Sequence, residues 1–141
     1  MSKVAVVFWS GTGNTEAMAN AVVEGAEGAG AEVTTLGASE FTAADVASYD
    51  AIAFGCPAMG SEVLEESEFE PMFADVEGSL SGKNVGLFGS YGWGDGTWMN
   101  DWSDRVKEDG ANLVAEGVIA NNEPDDDALA ACRELGSTLA K

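Results

Sequence analysis

Six small or hydroxyl-bearing residues separate an apolar segment from a helical pattern: Ser10, Gly11, Thr12, Gly13, Asn14 and Thr15. The two glycines permit tight turns and leave main-chain N–H groups uncovered, while the serine and the threonines offer hydroxyl donors. Asn14 suits the cap position of the following helix, whose dipole places about half a positive charge at its N-terminus. The segment therefore predicts an anion site, and a phosphate fits its donors.

The composition of this segment narrows the kind of phosphate ligand. No lysine stands where GxxxxGK[ST] requires one, and Glu16 occupies the place of the last glycine in GxGxxG. Both departures disfavour nucleoside triphosphate hydrolysis and dinucleotide binding. A glycine-rich turn that only joins a strand to a helix is the structural alternative.

Two further loops carry side chains suited to a flat ligand. Met59 is polarizable and packs well on aromatic rings, and Gly60 leaves either orientation of the peptide between them open. Trp93 lies between two glycines, which favours a ligand contact over a place in the core. By contrast, Trp98 and Trp102 lie four residues apart on a predicted helix and are expected to pack. Together the loops predict a ligand with a phosphate and a ring between Met59 and Trp93.

Strand and helix patterns alternate along the chain. Strands are predicted at Lys3–Trp9, Ala31–Gly37, Ala51–Gly55, Lys83–Ser90 and Ala111–Ala120, the last interrupted at Gly117. Helices are predicted at Asn14–Gly28, Thr42–Ala47, Phe69–Val76, Thr97–Asp109 and Asp125–Ala140. This alternation indicates an α/β fold in which helices cover both faces of a parallel sheet. Each glycine-rich loop follows the carboxyl end of a strand, where such sheets bind ligands.

Composition restricts the class of protein further. The 141 residues fit one domain, 1–141, and no signal peptide or membrane span is evident, so a cytoplasmic location is expected. Cys56 and Cys132 are expected to be reduced and buried, and histidine is absent. The net charge of −19 disfavours nucleic acid and anionic membranes and favours partners with basic patches. A surface that is only soluble or salt-adapted is the alternative.

Four motifs together resemble the flavodoxins, and especially the short-chain flavodoxins of anaerobic bacteria. They are "SGTGNT", "AMGSEVLEESEFEPMF", "LFGSYGWGDGTWM" and "NNEPDDD", in the family's order and spacing. The resemblance implies a three-layer, doubly wound, five-stranded parallel sheet of order 2-1-3-4-5. It also implies a monomeric, low-potential one-electron carrier with non-covalently bound flavin mononucleotide (FMN), which shuttles between semiquinone and hydroquinone and is not an enzyme.

The resemblance assigns roles to particular positions. Residues 10–15 would bind the phosphate, Met59 and Trp93 would cover the two faces of the isoalloxazine ring, and Glu62 would meet the flavin N3–H. The Gly60 main chain would address N5, and its peptide could turn over on reduction. Further positions complete the cofactor site: Ser90 at the ribityl chain, main chain around Gly92 and Asn122 at the pyrimidine edge, and the neighbouring Pro57, Ala58, Ser61 and Tyr91. Pro57 and Ser61 depart from the usual hydroxyl residue and aspartate.

The absence of a countercharge in the first loop has a redox consequence under this interpretation. A phosphate dianion surrounded by acids makes a further negative charge on the reduced ring costly. At about 10 Å and an effective dielectric of about 40–80, each acid costs about 0.4–0.8 kcal/mol. Several acids would depress the second one-electron potential.

Two other functions remain open at the level of the sequence. A flavin-dependent quinone or nitro reductase would share the fold, but it needs extra residues for a substrate pocket, and this chain has almost none to spare. A phosphate-dependent binding module without flavin accounts poorly for Trp93. Flavin absorbance and oxidation of NAD(P)H by the protein alone would distinguish the three.

Overall fold

The computed structural model describes residues 2–10, 13–58, 64–92 and 96–140. Its strands are β1 (Lys3–Phe8), β2 (Glu32–Gly37), β3 (Ala51–Gly55), β4 (Asn84–Tyr91), β5 (Asn112–Leu113) and β6 (Val118–Asn121). Its helices are α1 (Asn14–Gly28), α2 (Ala43–Val46), α3 (Phe69–Val76), α4 (Thr97–Glu108) and α5 (Asp126–Leu139). Apart from the division of the fifth strand, the predicted elements are confirmed to within one residue at most ends.

The sheet has the predicted winding. Its strands are parallel and follow the order β2-β1-β3-β4-β5, with β6 also paired to β4. The buried β1 and β3 lie inside the sheet, whereas β2, which has no buried residue, lies at one edge. The chain reverses its direction of winding between β1 and β3, which opens a crevice at their carboxyl ends.

The fifth strand position is filled by two segments. Along β4, Val85 and Phe88 are three residues apart, but their partners Leu113 and Val118 are five apart. The two extra residues form a bulge that ends at Gly117. A side chain at Gly117 would overlap the side chain of Met99 in α4, so Met99 would have to shift if a larger residue stood at this interruption.

Two hydrophobic layers hold the helices against the sheet. Alternate residues of β1 and β3 face a core with α2, α3 and α4 on one side, and a second core with α1 and α5 on the other. Trp98 and Trp102 are 1% and 2% exposed, which confirms their predicted packing role. Cys56 and Cys132 are free and buried, one in each layer, as predicted. No helix within the described ranges has the length and hydropathy of a bilayer-spanning segment.

Arg105 joins α4 to α3 through two carboxylates. Its guanidinium donates to both carboxylate oxygens of Glu70 at 2.7 and 2.8 Å and to both of Glu77 at 2.9 and 2.7 Å. The guanidinium carbon of Arg105 also lies 4.8 Å from the centre of the Phe73 ring.

Asp109 lies directly after α4 and has a raised pKa. Burial is the largest cause, and a hydrogen bond with Glu77 and charge repulsion from Glu77 add to it, so that the pKa of Asp109 rises to about 6.

We expect Asp109 to make stability depend on pH. Its pKa is higher in the folded state than its ordinary value of 3.8, so folding favours the protonated form. The contribution of protonated Asp109 to the free energy of unfolding is fully present below about pH 4 and is lost as the pH rises through about 6. Asp109→Asn, which keeps a donor toward Glu77, should raise the free energy of unfolding by about 1–2 kcal/mol at pH 7.5.

Urea unfolding of both proteins at pH 4 and pH 7.5 measures this effect. The advantage of the variant should largely vanish at pH 4, where both proteins present a neutral side chain. An advantage of the same size at both pH values would mean that the Asp109 proton is not responsible.

Candidate functional site

Main-chain hydrogen bonds gather several loops at the carboxyl edge of the sheet. Trp9 N–H donates to the Gly55 carbonyl at 3.0 Å, which links the first loop to β3. Ala58 N–H donates to the Ser90 carbonyl at 3.0 Å, which links the second loop to β4. Asn122 N–H donates to the Tyr91 carbonyl at 2.7 Å. The loops that the sequence singled out are therefore held together at the crevice.

At the start of α1, main-chain donors converge on one oxygen atom. The Ser10 hydroxyl accepts hydrogen bonds from Gly13 N–H at 3.1 Å and Glu16 N–H at 3.3 Å. The prediction that Asn14 caps this helix is wrong, because Asn14 is its first helical residue and Gly13 precedes it with φ at 93°. Glycine adopts this left-handed conformation without steric cost. The convergence on Ser10 shows that the loop presents N–H groups to a single acceptor.

Two buried hydroxyl groups lie beneath this loop. Thr15, which is 1% exposed, places its Oγ1 atom 3.2 Å from Oγ of Ser90, which is 5% exposed. Ser90 N–H also donates to Thr15 Oγ1 at 3.4 Å. The pair connects α1 to the end of β4, although the two residues are 75 positions apart. Thr15, predicted to bind the phosphate, is therefore in direct contact with Ser90, predicted to bind the ribityl chain.

In the second loop, the predicted site residues that the structure describes are Pro57 and Ala58. Both residues are half-buried, and Ala58 is anchored to β4 by its hydrogen bond with Ser90. Pro57 has no main-chain N–H and no hydroxyl, so it offers an anion no donor. Its carbonyl accepts a hydrogen bond from the Cys56 thiol at 3.5 Å.

The third and fourth loops touch each other. Tyr91 is partly buried and its ring centre lies 5.5 Å from that of Trp98. Gly92 is exposed, and a Cβ there would lie 3.5 Å from the side-chain oxygen of Asn122. Asn122 adopts φ of 57° and turns its main chain toward Tyr91. The structure thus brings Tyr91, Gly92 and Asn122 together, as the proposed pyrimidine edge requires.

The remaining predicted positions cannot be placed in this geometry. The residues outside the described ranges are Gly11, Thr12, Met59, Gly60, Ser61, Glu62 and Trp93. Their assignments to the phosphate and to the flavin ring stay predictions. The described positions nevertheless bracket them in the sequence on both sides.

Glu65 is a buried acid for which the sequence pattern predicts no role. It is 4% exposed, and its carboxylate accepts hydrogen bonds from the N–H groups of Ser67, Glu68 and Phe69. Burial tends to raise its pKa, but the hydrogen bonds from Ser67, Phe69 and Glu68 outweigh burial and lower the pKa to about 2. Glu65 stands first in the acidic run "EESEF", four residues before Phe69, where α3 begins. This distance from the helix start is the one signal in the sequence that could have identified Glu65 as a candidate cap.

An open groove of about 760 Å³ lies elsewhere, between α4 and the β5–β6 edge. Among the described residues that line it are Met99, Lys107 and Ile119, and none of the described positions predicted for the site belongs to it. The converging N–H and hydroxyl donors at the carboxyl edge make that edge the better candidate for an anionic ligand.

Comparison with known proteins gives concordant results over nearly the whole chain. The family profile described as Flavodoxin matches residues 6–136. A flavodoxin of Megasphaera elsdenii is 50% identical over 138 residues, covering 98% of each chain, and one of Clostridium beijerinckii is 46% identical over 135 residues, covering 96% and 97%. The solution structure of two-electron reduced M. elsdenii flavodoxin superposes with a TM-score of 0.90 over 97% of this chain and 98% of its own.

Proposed function

The chain belongs to the flavodoxin family of FMN-binding, low-potential electron carriers, and we propose that it holds its FMN at the carboxyl edge of the sheet. It is a carrier and not an enzyme. When bound, FMN supplies the ring that accepts and releases electrons. The protein binds and orients this group, shields it from water and sets the electrostatic cost of its charge.

The observation that supports the phosphate site best is the convergence of N–H donors on the Ser10 hydroxyl at the start of α1. A phosphate oxygen is a stronger acceptor than a hydroxyl oxygen, so it would take up such donors readily. The buried Thr15–Ser90 pair adds two hydroxyl groups at the base of the loop. We therefore assign the phosphate to residues 10–15 and the ribityl chain to Ser90.

The ring site draws on residues inside and outside the described ranges. Tyr91, Gly92 and Asn122 form a connected main-chain surface suited to the polar pyrimidine edge. Ala58, pinned to Ser90, leads into the segment with Met59, Gly60, Ser61 and Glu62. We propose that Met59 and Trp93 cover the two ring faces, that Glu62 accepts from N3–H, and that residues 1–141 form the single FMN-binding domain.

Preference for FMN over riboflavin tests the phosphate assignment. Because the donors of residues 10–15 have no other ligand group to bind, FMN should bind about 100-fold or more tightly than riboflavin. Titration of the apoprotein with each flavin, followed by quenching of flavin fluorescence, measures the ratio. Equal affinities would contradict the assignment, and failure to bind FMN at all would contradict the proposed site as a whole.

As an electron carrier, the protein works with redox partner proteins. We propose that these partners present basic patches, since the chain carries 25 acids and only 6 bases. The same charge opposes binding to nucleic acid and to anionic membranes. We also propose a monomer in the cytoplasm, where free thiols such as Cys56 and Cys132 persist.

Electron transfer to such a partner should slow as salt concentration rises. At physiological ionic strength, salt screens the attraction between exposed charges beyond about 8 Å. Electrostatic steering therefore raises the association rate most at low salt concentration. Stopped-flow mixing of the reduced protein with a basic acceptor, such as a cationic cytochrome, measures the rate across a salt series. A neutral small-molecule acceptor is the control, and a flat rate with the basic acceptor would count against charge steering.

A further inference from the structure

Two grooves flank the outer edge of the sheet at β6. The larger, of about 760 Å³, lies between α4 and the strand edge, and a second of about 500 Å³ lies between β6 and the first half of α5. Gly117 and Ile119 line both grooves. β6 pairs with β4 on one side, and no strand within the described ranges pairs with it on the other. Together the two grooves and the strand between them form the β6 surface.

Ile119 is the apolar centre of the β6 surface. It is 39% exposed and is the one large hydrophobic side chain among the described residues that is exposed. A Cβ at Gly96 would lie 3.2 Å from Ile119 Cδ1, so the side chain extends across the larger groove toward the start of α4. Met99 and Leu113 line the same groove. A single exposed apolar side chain is common, but one that stands in a groove with further apolar residues is typical of the centre of a protein–protein interface.

Acidic side chains surround this apolar centre. Glu116 lines both grooves, and four more exposed acids each line one of them: Asp104 in the larger, and Glu123, Asp125 and Asp127 in the smaller. Lys107 is the one basic residue among the described residues that line the grooves. Because acids outnumber bases so strongly here, electrostatic attraction favours a partner that presents lysine or arginine to this surface.

The irregular edge determines how a partner can dock. β5 has two residues and β6 has four, and the bulge that ends at Gly117 separates them. Short strands and bulges hinder continuous main-chain pairing with an added strand. A second copy of this chain is disfavoured, because it would bring its own acids against these acids. The β6 surface therefore fits a compact patch in which cations surround an apolar side chain.

We propose that the β6 surface is the docking site of a basic redox partner protein, which places an apolar side chain against Ile119 and lysine or arginine around it. This inference rests on the proposed function, because it gives the partner of an electron carrier a place to bind. β6 ends at Asn121, and the next residue, Asn122, donates its N–H to the Tyr91 carbonyl at the proposed pyrimidine edge. A partner docked on this surface therefore lies beside the proposed flavin site, where one electron passes from the reduced flavin to the oxidised redox centre of the partner.

Charge reversal at two exposed glutamates distinguishes a local docking site from the overall charge. Glu116→Lys changes the β6 surface, and Glu32→Lys changes β2 at the opposite edge of the sheet, with the same effect on net charge. Stopped-flow mixing of each reduced holoprotein with a cationic cytochrome at low salt measures the second-order rate constant. Glu116→Lys should lower this constant about three- to tenfold and Glu32→Lys by less than about twofold. At high salt the difference between them should vanish.

Ile119→Thr tests the apolar centre independently of charge. Threonine keeps the β-branched shape that suits a strand, but a hydroxyl replaces part of the apolar side chain. The rate constant should fall about two- to fourfold, and the loss should persist at high salt, because salt does not screen the burial of apolar surface. Val33→Thr, at a partly buried position of β2, is the matched control and should keep the parent's rate. A neutral small-molecule acceptor should oxidise all variants as fast as the parent protein.

These measurements distinguish the β6 surface from its alternatives. Equal slowing by Glu116→Lys and Glu32→Lys would overturn the proposal in favour of steering by the overall charge. A rate for Ile119→Thr that matches the parent at every salt concentration would overturn it as well. So would a dimer of the parent, seen by analytical ultracentrifugation, that Ile119→Thr dissociates, since a second copy would then cover the surface. Failure of the parent to bind FMN, or to reduce the neutral acceptor, would instead contradict the proposed function.

Discussion

Gly25→Ala should lower the free energy of unfolding by about 2–4 kcal/mol, because the space of its missing side chain is filled by α5. A Cβ at this position would overlap the Arg133 carbonyl oxygen and lie 2.7 Å from Arg133 Cα. The two obstacles are main-chain atoms, which cannot move without separating the helices. Gly136 of α5 faces α1 at the same helix–helix contact. A Cβ at Gly136 would overlap the Val22 carbonyl and lie 2.8 Å from the main-chain nitrogen of Ala26.

Gly28→Ala provides a matched control on the same helix. A Cβ there meets nothing within 4 Å, so the change should add helix propensity and stabilise by a few tenths of a kcal/mol, up to about 0.8. Urea unfolding of the apoprotein compares the two variants. Equal effects would show that α1 and α5 can separate at little cost, contrary to the close backbone contact in the structure.

The same contact bears on the cofactor site, because α1 begins at the phosphate loop. Displacing α1 would move the Thr15 hydroxyl away from Ser90 and the first-turn N–H groups away from their common acceptor. Gly25→Ala should therefore weaken FMN binding as well, and FMN should recover part of the lost stability by binding only the folded state.

Much of this architecture can be predicted from the sequence because the central strands are apolar on both faces. The runs Val4–Val7 and Ala51–Phe54 have no polar residue, which is compatible only with burial between two layers of helices. The loops that follow them are rich in glycine and hydroxyl residues, so the edge that binds the ligand is also predictable. Local pattern and tertiary structure agree in these regions.

One prediction was wrong and two residues received no role, at positions where the main-chain conformation or a neighbour distant in sequence decides. Asn14 has the usual chemistry of a helix cap, but the loop enters α1 with a positive φ that Gly13 supplies. Glu65 looks like one of several solvated acids, although Cys56 and the turn at Ser67 bury it. The space that requires Gly25 belongs to α5. None of these constraints is encoded in the local pattern.

Thr15→Val should reduce the preference for FMN over riboflavin about tenfold or more, because it removes one hydroxyl donor from the phosphate site. Valine has nearly the same shape as threonine, so packing at this 1% exposed position should persist. The variant should also lose about 1–3 kcal/mol of stability, since Ser90 N–H and the Ser90 hydroxyl both lose a buried partner.

The preference ratio separates these two effects. Damage to the Ser90 side of the site weakens both flavins, because both carry a ribityl chain, whereas loss of a phosphate contact weakens FMN alone. Thr15→Ser, which keeps the hydroxyl, should restore the ratio. Thr138→Val is the control, because it removes a hydroxyl that donates to the Glu134 carbonyl within α5, away from these loops.

Fluorescence titrations of the four proteins with FMN and riboflavin, together with urea unfolding of each apoprotein, complete the test. We expect Thr15→Val to lower the FMN-to-riboflavin ratio and Thr138→Val to leave it unchanged, even where both lose stability. If Thr15→Val weakens the two flavins by the same factor, the hydroxyl supports Ser90 and makes no contact with the phosphate. The countercharge-free phosphate site would then depend on the main-chain N–H groups of α1, with Ser10 as its remaining described hydroxyl.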